Sequence, residues 1–204
     1  MEPDREWWLR VPAVLLSPRA VFTALRNEER EDLEARSEPV LALTLLAAVA
    51  GAFATPTART LFVDPLFDVV DLALWTVFAA AVLAFSGYFL LGGALYLGAR
   101  GLGSEGTFRR ARHVLAFALT PLALSALVLW PLGLAIFGTD LFDYRGADEG
   151  AGGDLFYGVA ALFGLWSAAL LLLGVRAVHG WSWLRSLAAL GLVALFVAAL
   201  AVVF

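Results

Sequence analysis

Five long stretches of this sequence carry no charged side chain, and they constrain the fold more than any other feature. They cover residues 39–55, 72–98, 114–137, 155–175 and 186–204, with lengths of 17, 27, 24, 21 and 19 residues. A helix needs about 20 apolar residues to cross the ~30 Å hydrocarbon core of a bilayer. These Ala-, Leu- and Val-rich runs lack the alternation of a membrane β-barrel. The sequence therefore predicts an all-α, polytopic membrane helical bundle with five transmembrane helices.

Composition supports this fold class, because 61% of the residues are hydrophobic and only 16% are charged. Soluble domains carry about 25% charged residues. We expect a cytoplasmic amino-terminal segment at 1–38 and a five-helix membrane domain at 39–204. Within that domain, we expect the spans at about 39–57, 70–98, 111–137, 155–177 and 184–204.

The arginines predict how the chain is oriented, and all 14 basic residues are Arg. If the amino terminus is cytoplasmic, twelve arginines lie on the cytoplasmic side and only Arg59 and Arg145 lie outside. Short cytoplasmic loops of membrane proteins are enriched in basic residues. We therefore expect a multi-pass protein of the cell membrane with a cytoplasmic amino terminus and an outer carboxy terminus.

A short amphipathic helix is predicted before the first span. Ser17 and Pro18 suit the N-cap and the first helical position. Val21, Phe22 and Leu25 then share one face, opposite a polar face. We expect an interfacial helix that lies on the cytoplasmic headgroups. Packing of the same apolar face on the protein's own bundle is the alternative.

The cytoplasmic ends of the spans gather positive charge near a glycine-rich loop at 99–113. Arg is suited to bidentate contact with phosphate, so these residues are candidates for contact with lipid headgroups or a partner. Ordinary positive-inside anchoring is the alternative. We call this set the cationic cluster: Arg100, Arg109, Arg110, Arg112, His113, Arg176 and His179.

The third span contains two prolines that each remove a helix donor and free a carbonyl group. We take Thr120, Pro121, Ser125 and Pro131 as candidates for a helix break that lines a cavity. The alternative is a kinked helix whose freed groups are satisfied by neighbours. Trp75 and Trp130, by contrast, are expected in an interfacial aromatic belt.

Small residues recur at four-residue steps in the fourth span, at Ala160, Gly164 and Ala168. Such spacing lets helices approach closely, either within one subunit or at a dimer seam.

The sequence offers little for catalysis. It has no cysteine, no His-Glu-x-x-His motif and no Gly-x-Ser-x-Gly motif, which removes thiolate chemistry and two common hydrolase signatures. The charge-free cores contain no titratable group of the kind that proton relays need. We therefore expect a non-enzymatic protein with no cofactor, metal or nucleic-acid partner. Membrane lipids are the expected partners, together with a homo-oligomer or another membrane protein.

Several sequence pieces, taken in order, resemble the Yip family of Ypt/Rab-interacting membrane proteins. They are the Ser-Pro-Arg-Ala-Val-Phe entry at 17–22, the glycine-rich loop leading into Phe-Arg at 108–109, the Ala-Phe-Ala-Leu-Thr-Pro run at 116–121, and the His-Gly-Trp-Ser run at 179–182. The prokaryotic members are the more similar ones. The resemblance implies a five-helix membrane protein of scaffold or trafficking type.

Eukaryotic members of that family are tied to Rab GTPases and carry an Asp-Leu-Tyr-Gly-Pro motif. Here the nearest text departs after Asp71 and Leu72, so Rab binding is not expected. Two functional hypotheses follow. The first is a non-enzymatic membrane scaffold or organising protein. The alternative is a lipid or amphiphile transporter or scramblase that uses the proline-broken third span and the cationic cluster.

Overall fold

The structure is a computed structural model that describes residues 2–27, 38–143 and 151–203. These residues form helices and turns, with no strand among them. They include a π-helical turn at Gly87–Leu91 and a 3-10 turn at Gly138–Phe142. The all-α prediction is confirmed. The helices are α1 Glu2–Leu16, α2 Pro18–Asn27, α3 Glu38–Phe53, α4 Pro56–Val63, α5 Val69–Ser86, α6 Gly92–Gly101, α7 Phe108–Ala118, α8 Thr120–Leu127, α9 Leu129–Phe137, α10 Ala151–His179 and α11 Trp183–Val203.

Three helical runs in the described part of the chain are long and apolar enough to cross a membrane. They are Val69–Gly101, Thr120–Phe142 and Ala151–His179. A fourth span is formed if α3 and α4, which meet at a bend of 63°, count as one. α11 is apolar over the shorter stretch Trp183–Phe196. The chain is therefore a polytopic helical bundle with three or four candidate spans, and the number five stays a prediction.

Two Thr-Pro pairs explain where the predicted first and third spans are interrupted. In a continuous helix, Pro121 would donate its N–H to the carbonyl of Phe117, but proline has none. Thr120 fills this gap by donating its hydroxyl to Phe117 O at 2.8 Å. Thr55 does the same before Pro56, donating to Ala52 O at 2.7 Å. The hydroxyl groups thus satisfy the carbonyls that the prolines free.

Packing divides the chain into two units, whose segments alternate along the sequence. Unit 1 consists of Met1–Thr44, Phe85–Thr120 and Ala168–Phe204, and unit 2 of Leu45–Ala84 and Pro121–Ser167. All described charges predicted for the cytoplasmic side fall in unit 1. Those predicted for the outer side fall in unit 2.

Unit 2 is centred on stacked aromatic side chains. Trp130 is 2% exposed, lies parallel to Phe142 at a centroid distance of 6.2 Å, and meets Phe156 edge-on at 5.3 Å. Gly133 admits Phe156, since a β-carbon there would lie 2.3 Å from the phenyl ring. The expectation that Trp130 belongs to an interfacial belt is wrong, because the indole fills this core. Tyr157 adds a hydroxyl bond to Leu141 O at 2.5 Å.

In unit 1, α2 packs on the protein's own helices. Its apolar residues Val21, Phe22 and Leu25 are all buried. Phe22 fits against Gly174 of α10, where a β-carbon would lie 2.9 Å from the phenyl ring and 2.9 Å from Val114 of α7. The structure therefore shows the second of the two alternatives for this face. A location of α2 at the headgroup level stays a prediction.

Candidate functional site

The helix ends that carry the predicted cationic cluster all belong to unit 1. Arg100 is in the last turn of α6, and Arg176 and His179 are in the last turn of α10. The other four residues lie in α7, whose N-cap Thr107 accepts a bond from Arg110 N at 3.2 Å. Arg110 and His179 line one small cleft. The structure thus brings the start of α7 together with the end of α10.

Arg112 is enclosed by two aromatic rings. Its guanidinium carbon lies 4.3 Å from the ring centre of Tyr88 and 4.5 Å from that of Phe108. Gly92 makes room for the stem, because a β-carbon there would lie 2.7 Å from Arg112 Cγ. Such cation–π contacts contribute about 0.5–2 kcal/mol each, the most where water is excluded. Arg112 therefore serves the packing of α7 against the π-helical turn and α6.

His113 is also an internal residue, with 2% of its surface exposed. Its Nδ1 hydrogen-bonds to the carbonyl of Arg109 one turn earlier, at 2.9 Å. A side chain buried in this way does not present its imidazole to a headgroup. Arg109 and Arg110 are partly buried and make further contacts, whereas Arg100 is exposed and donates to the Tyr96 hydroxyl.

An arginine from the end of the chain holds the glycine-rich loop. Arg185, near the start of α11, donates to the carbonyl of Leu102 from Nε at 3.1 Å and from a terminal nitrogen. Its guanidinium also lies 4.4 Å from the ring of Trp181. Gly103 follows Leu102 with φ +82°, a conformation that favours glycine. The loop is therefore tied to α11 and not only to its neighbours in sequence.

His179 lies beside the glycine-rich loop. Its Nδ1 hydrogen-bonds to Val175 O at 2.9 Å, and its ring lies 4.4 Å from that of Trp181. It lines a cleft of about 10 Å³ together with Ser104, Gly106 and Arg110. This volume holds about one water molecule. The cleft is too small for an organic ligand.

Of the four third-span candidates, Thr120 belongs to unit 1 and the other three belong to unit 2. Thr120, Pro121 and Ser125 are buried, and Pro131 is exposed. Ser125 donates its hydroxyl to Leu122 O at 2.7 Å. None of the four lines the cleft that Arg110 and His179 share, a second cleft between α2 and the end of α10, or a third cleft beside Arg59 in unit 2. The third span is interrupted, but the hydroxyl groups of Thr120 and Ser125 bond to carbonyls three residues earlier in the chain.

Sequence reasoning did not assign a site role to Arg19, Arg26 or Arg185. Arg185 contacts a carbonyl 83 positions away, and no local pattern signals such a pairing. Arg19 and Arg26 are seven residues apart in α2, two helical turns, so their shared face was readable from the sequence. The residues that lie opposite that face in the folded protein could not be read from the sequence.

The fold and the helix ends define an integral, polytopic α-helical membrane protein. Among the described residues, no group of three or more His, Asp or Glu side chains could hold a metal ion. The family model of the Yip1 domain matches residues 13–204. The chain therefore belongs to the Yip1 domain family. No curated protein and no solved structure matches it.

Proposed function

We propose that this protein is a non-enzymatic membrane-organising protein, of the prokaryotic branch of its family, that contacts anionic lipids and membrane partners from its cytoplasmic face. The observation that carries the proposal is the exposed or half-buried arginine surface of unit 1. Arg100, Arg176 and Arg185 are held there by Tyr96, Trp183 and Trp181. A positive surface fixed by aromatic rings keeps its net charge, and anionic headgroups attract such charge.

The proposed orientation places the amino terminus in the cytoplasm and the carboxy terminus outside the cell. It rests on the arginine distribution, which in this orientation places twelve arginines on the cytoplasmic side and two outside. The division into units supports it, because the same charges that the arginine rule assigns to opposite sides fall in different units. The transporter alternative finds no comparable support, since its third-span candidates do not line the His179 cleft, and that cleft is too small for an amphiphile.

Extraction from native membranes into lipid nanodiscs tests this function. We expect the tagged protein to be recovered as a homo-oligomer or with a stoichiometric membrane partner. The variant Arg100→Ala/Arg109→Ala/Arg110→Ala should lose most of that recovery, whereas Arg59→Ala, in unit 2, should keep it. A lone monomer that also leaves the shape of vesicles unchanged would overturn the proposal.

A further inference from the structure

A second positively charged feature of unit 1 is a cleft between α2 and the end of α10, outside the predicted cationic cluster apart from Arg176. Its volume is about 280 Å³. One wall is a single stripe of α2, formed by Arg19, Thr23 and Arg26. The other wall comes from the last two turns of α10 and the residues after it. The lining residues on that side are Leu173, Arg176, Ala177, Gly180 and Trp181.

The packing of α2 fixes the direction of its polar stripe. Phe22 and Leu25 are completely buried, and Phe22 is seated against Gly174. Because residues three and four apart share a helix face, Arg19, Thr23 and Arg26 line up on the opposite side. Those three residues are exposed, so they are available to a ligand while the helix itself is held in place.

Three arginines line the cleft, and among the described residues no carboxylate lines it. Arginine stays protonated in proteins, so all three are charged. Arg176 lies over Trp183 at 4.4 Å, and its Nε is buried without a hydrogen-bond partner in the described part of the chain. Like charges at close range repel each other. An anion with several oxygens would relieve that repulsion and accept hydrogen bonds from the guanidinium groups.

Gly180 shapes the floor of the cleft. Its φ of +64° favours glycine, and a β-carbon there would lie 2.9 Å from an Arg26 terminal nitrogen. The guanidinium group of Arg26 therefore lies against the end of α10, where Arg176 also lines the cleft. Leu173, Ala177 and Trp181 add apolar surface beside the charges. Guanidinium groups matched with a Trp and apolar side chains suit an amphiphile with a phosphate head.

We propose that this cleft binds the phosphate group of an anionic phospholipid, held by Arg19, Arg26 and Arg176. The inference rests on the proposed function, because it names the lipid contact of the same membrane-organising face. A phosphate group free in solution has the same chemistry. The test therefore offers both sources.

Native mass spectrometry of the full chain in detergent measures the binding. The probes are phosphatidylglycerol, zwitterionic phosphatidylcholine, and inorganic phosphate. We expect a saturable phosphatidylglycerol adduct whose Kd rises at least about tenfold in Arg19→Gln/Arg26→Gln. The control Arg10→Gln/Arg59→Gln also removes two charges, but outside both this cleft and the cationic cluster, and should keep the Kd. If inorganic phosphate displaces phosphatidylglycerol, the site recognises the phosphate group alone. If phosphatidylglycerol stays bound in the presence of inorganic phosphate, the site recognises the phosphate group of the lipid.

Three results would overturn the inference. Phosphatidylcholine could bind as tightly as phosphatidylglycerol, or both double variants could weaken binding equally, which is the behaviour of a general charge effect. The third concerns the acidic sequence at 28–34, which lies outside the described residues. Binding that appears only in Glu28→Gln/Glu29→Gln/Glu31→Gln would assign the cleft to the chain's own carboxylates. Recovery of a lone monomer in the nanodisc experiment would reject the organising function and leave this result unaffected.

Discussion

Arg112, Arg176 and Arg185 each lie over an aromatic ring in unit 1, with 4.3–4.4 Å between the guanidinium carbon and the nearest ring centre. An ion pair would hold an arginine and cancel its charge at the same time. A ring holds it by its quadrupole and leaves the charge in place. These residues therefore combine fixed geometry with a positive potential, which a surface for anionic headgroups needs.

Arg185 has a structural task that can be measured separately. Lysine keeps the charge but lacks the planar group that donates twice to one carbonyl. In Arg185→Lys we expect the backbone amides of residues 103–106 to exchange with deuterium at least about tenfold faster, because the loop loses its tie to α11. Arg100→Lys makes the same chemical change where the guanidinium bonds within α6, and should leave the exchange unchanged. Equal exchange in both variants would mean that the hydrogen bonds within the loop are sufficient to hold it, without Arg185.

At the level of elements, each Thr-Pro pair marks a break between two helices, because the proline cannot donate the backbone hydrogen bond that would continue the helix. α3 and α4 bend by 63° at Thr55 and Pro56, and α7 ends just before Thr120 and Pro121. In both places the threonine hydroxyl replaces the missing proline N–H. Loss of one such hydrogen bond costs about 0.5–1.5 kcal/mol.

The variant Thr120→Val tests this account. We expect it to lower the melting temperature by several degrees, since about 2–4 °C is lost per kcal/mol in a chain of this size. Thr120→Ser keeps the hydroxyl and should be close to the unaltered protein. In a Pro121→Ala background the backbone N–H is restored, so Thr120→Val should cost much less. Additive effects of the two substitutions would contradict the shared carbonyl.

The sequence predicted the helical class and the membrane location because charge and apolar length act locally along a helix. It also predicted that the arginines of α6, α7 and α10 would gather, since the arginine distribution assigns those helix ends to one side of a membrane. It failed where tertiary packing decides. Trp130 looked interfacial by position but fills an aromatic core, and His113 looked accessible but is buried. The contact of Arg185 with Leu102 depends on how α11 docks.

At the level of the whole molecule, the orientation in the membrane determines which partners each unit can meet. The absence of cysteine from the sequence makes single-cysteine labelling free of background. Leu66 is 85% exposed in unit 2. Gly101 is exposed at the end of α6 in unit 1, and a β-carbon there would meet no atom within 4 Å. Both sites therefore accept a cysteine and a maleimide without disturbing the packing.

We expect a membrane-impermeant maleimide to label Leu66→Cys in intact cells. Gly101→Cys should be labelled only after permeabilisation, because the arginine distribution places that loop in the cytoplasm. The unaltered protein, without a thiol, is the control for background. The reverse pattern would invert the orientation and move the proposed lipid contacts to the outer leaflet.

The π-helical turn at Gly87–Leu91 sets the phase of the helix that follows it. Gly92 donates to the carbonyl of Gly87, five residues back, so the turn holds one residue more than an α-helical turn. Tyr88, within the turn, faces Arg112, and Gly98, beyond it, fits against α11, where a β-carbon at Gly98 would lie 3.1 Å from Ala189 O. Removing one residue here would rotate everything downstream by about 100°. The helix would become regular, and either the contact of Tyr88 with Arg112 or the contact of Gly98 with α11 would be lost.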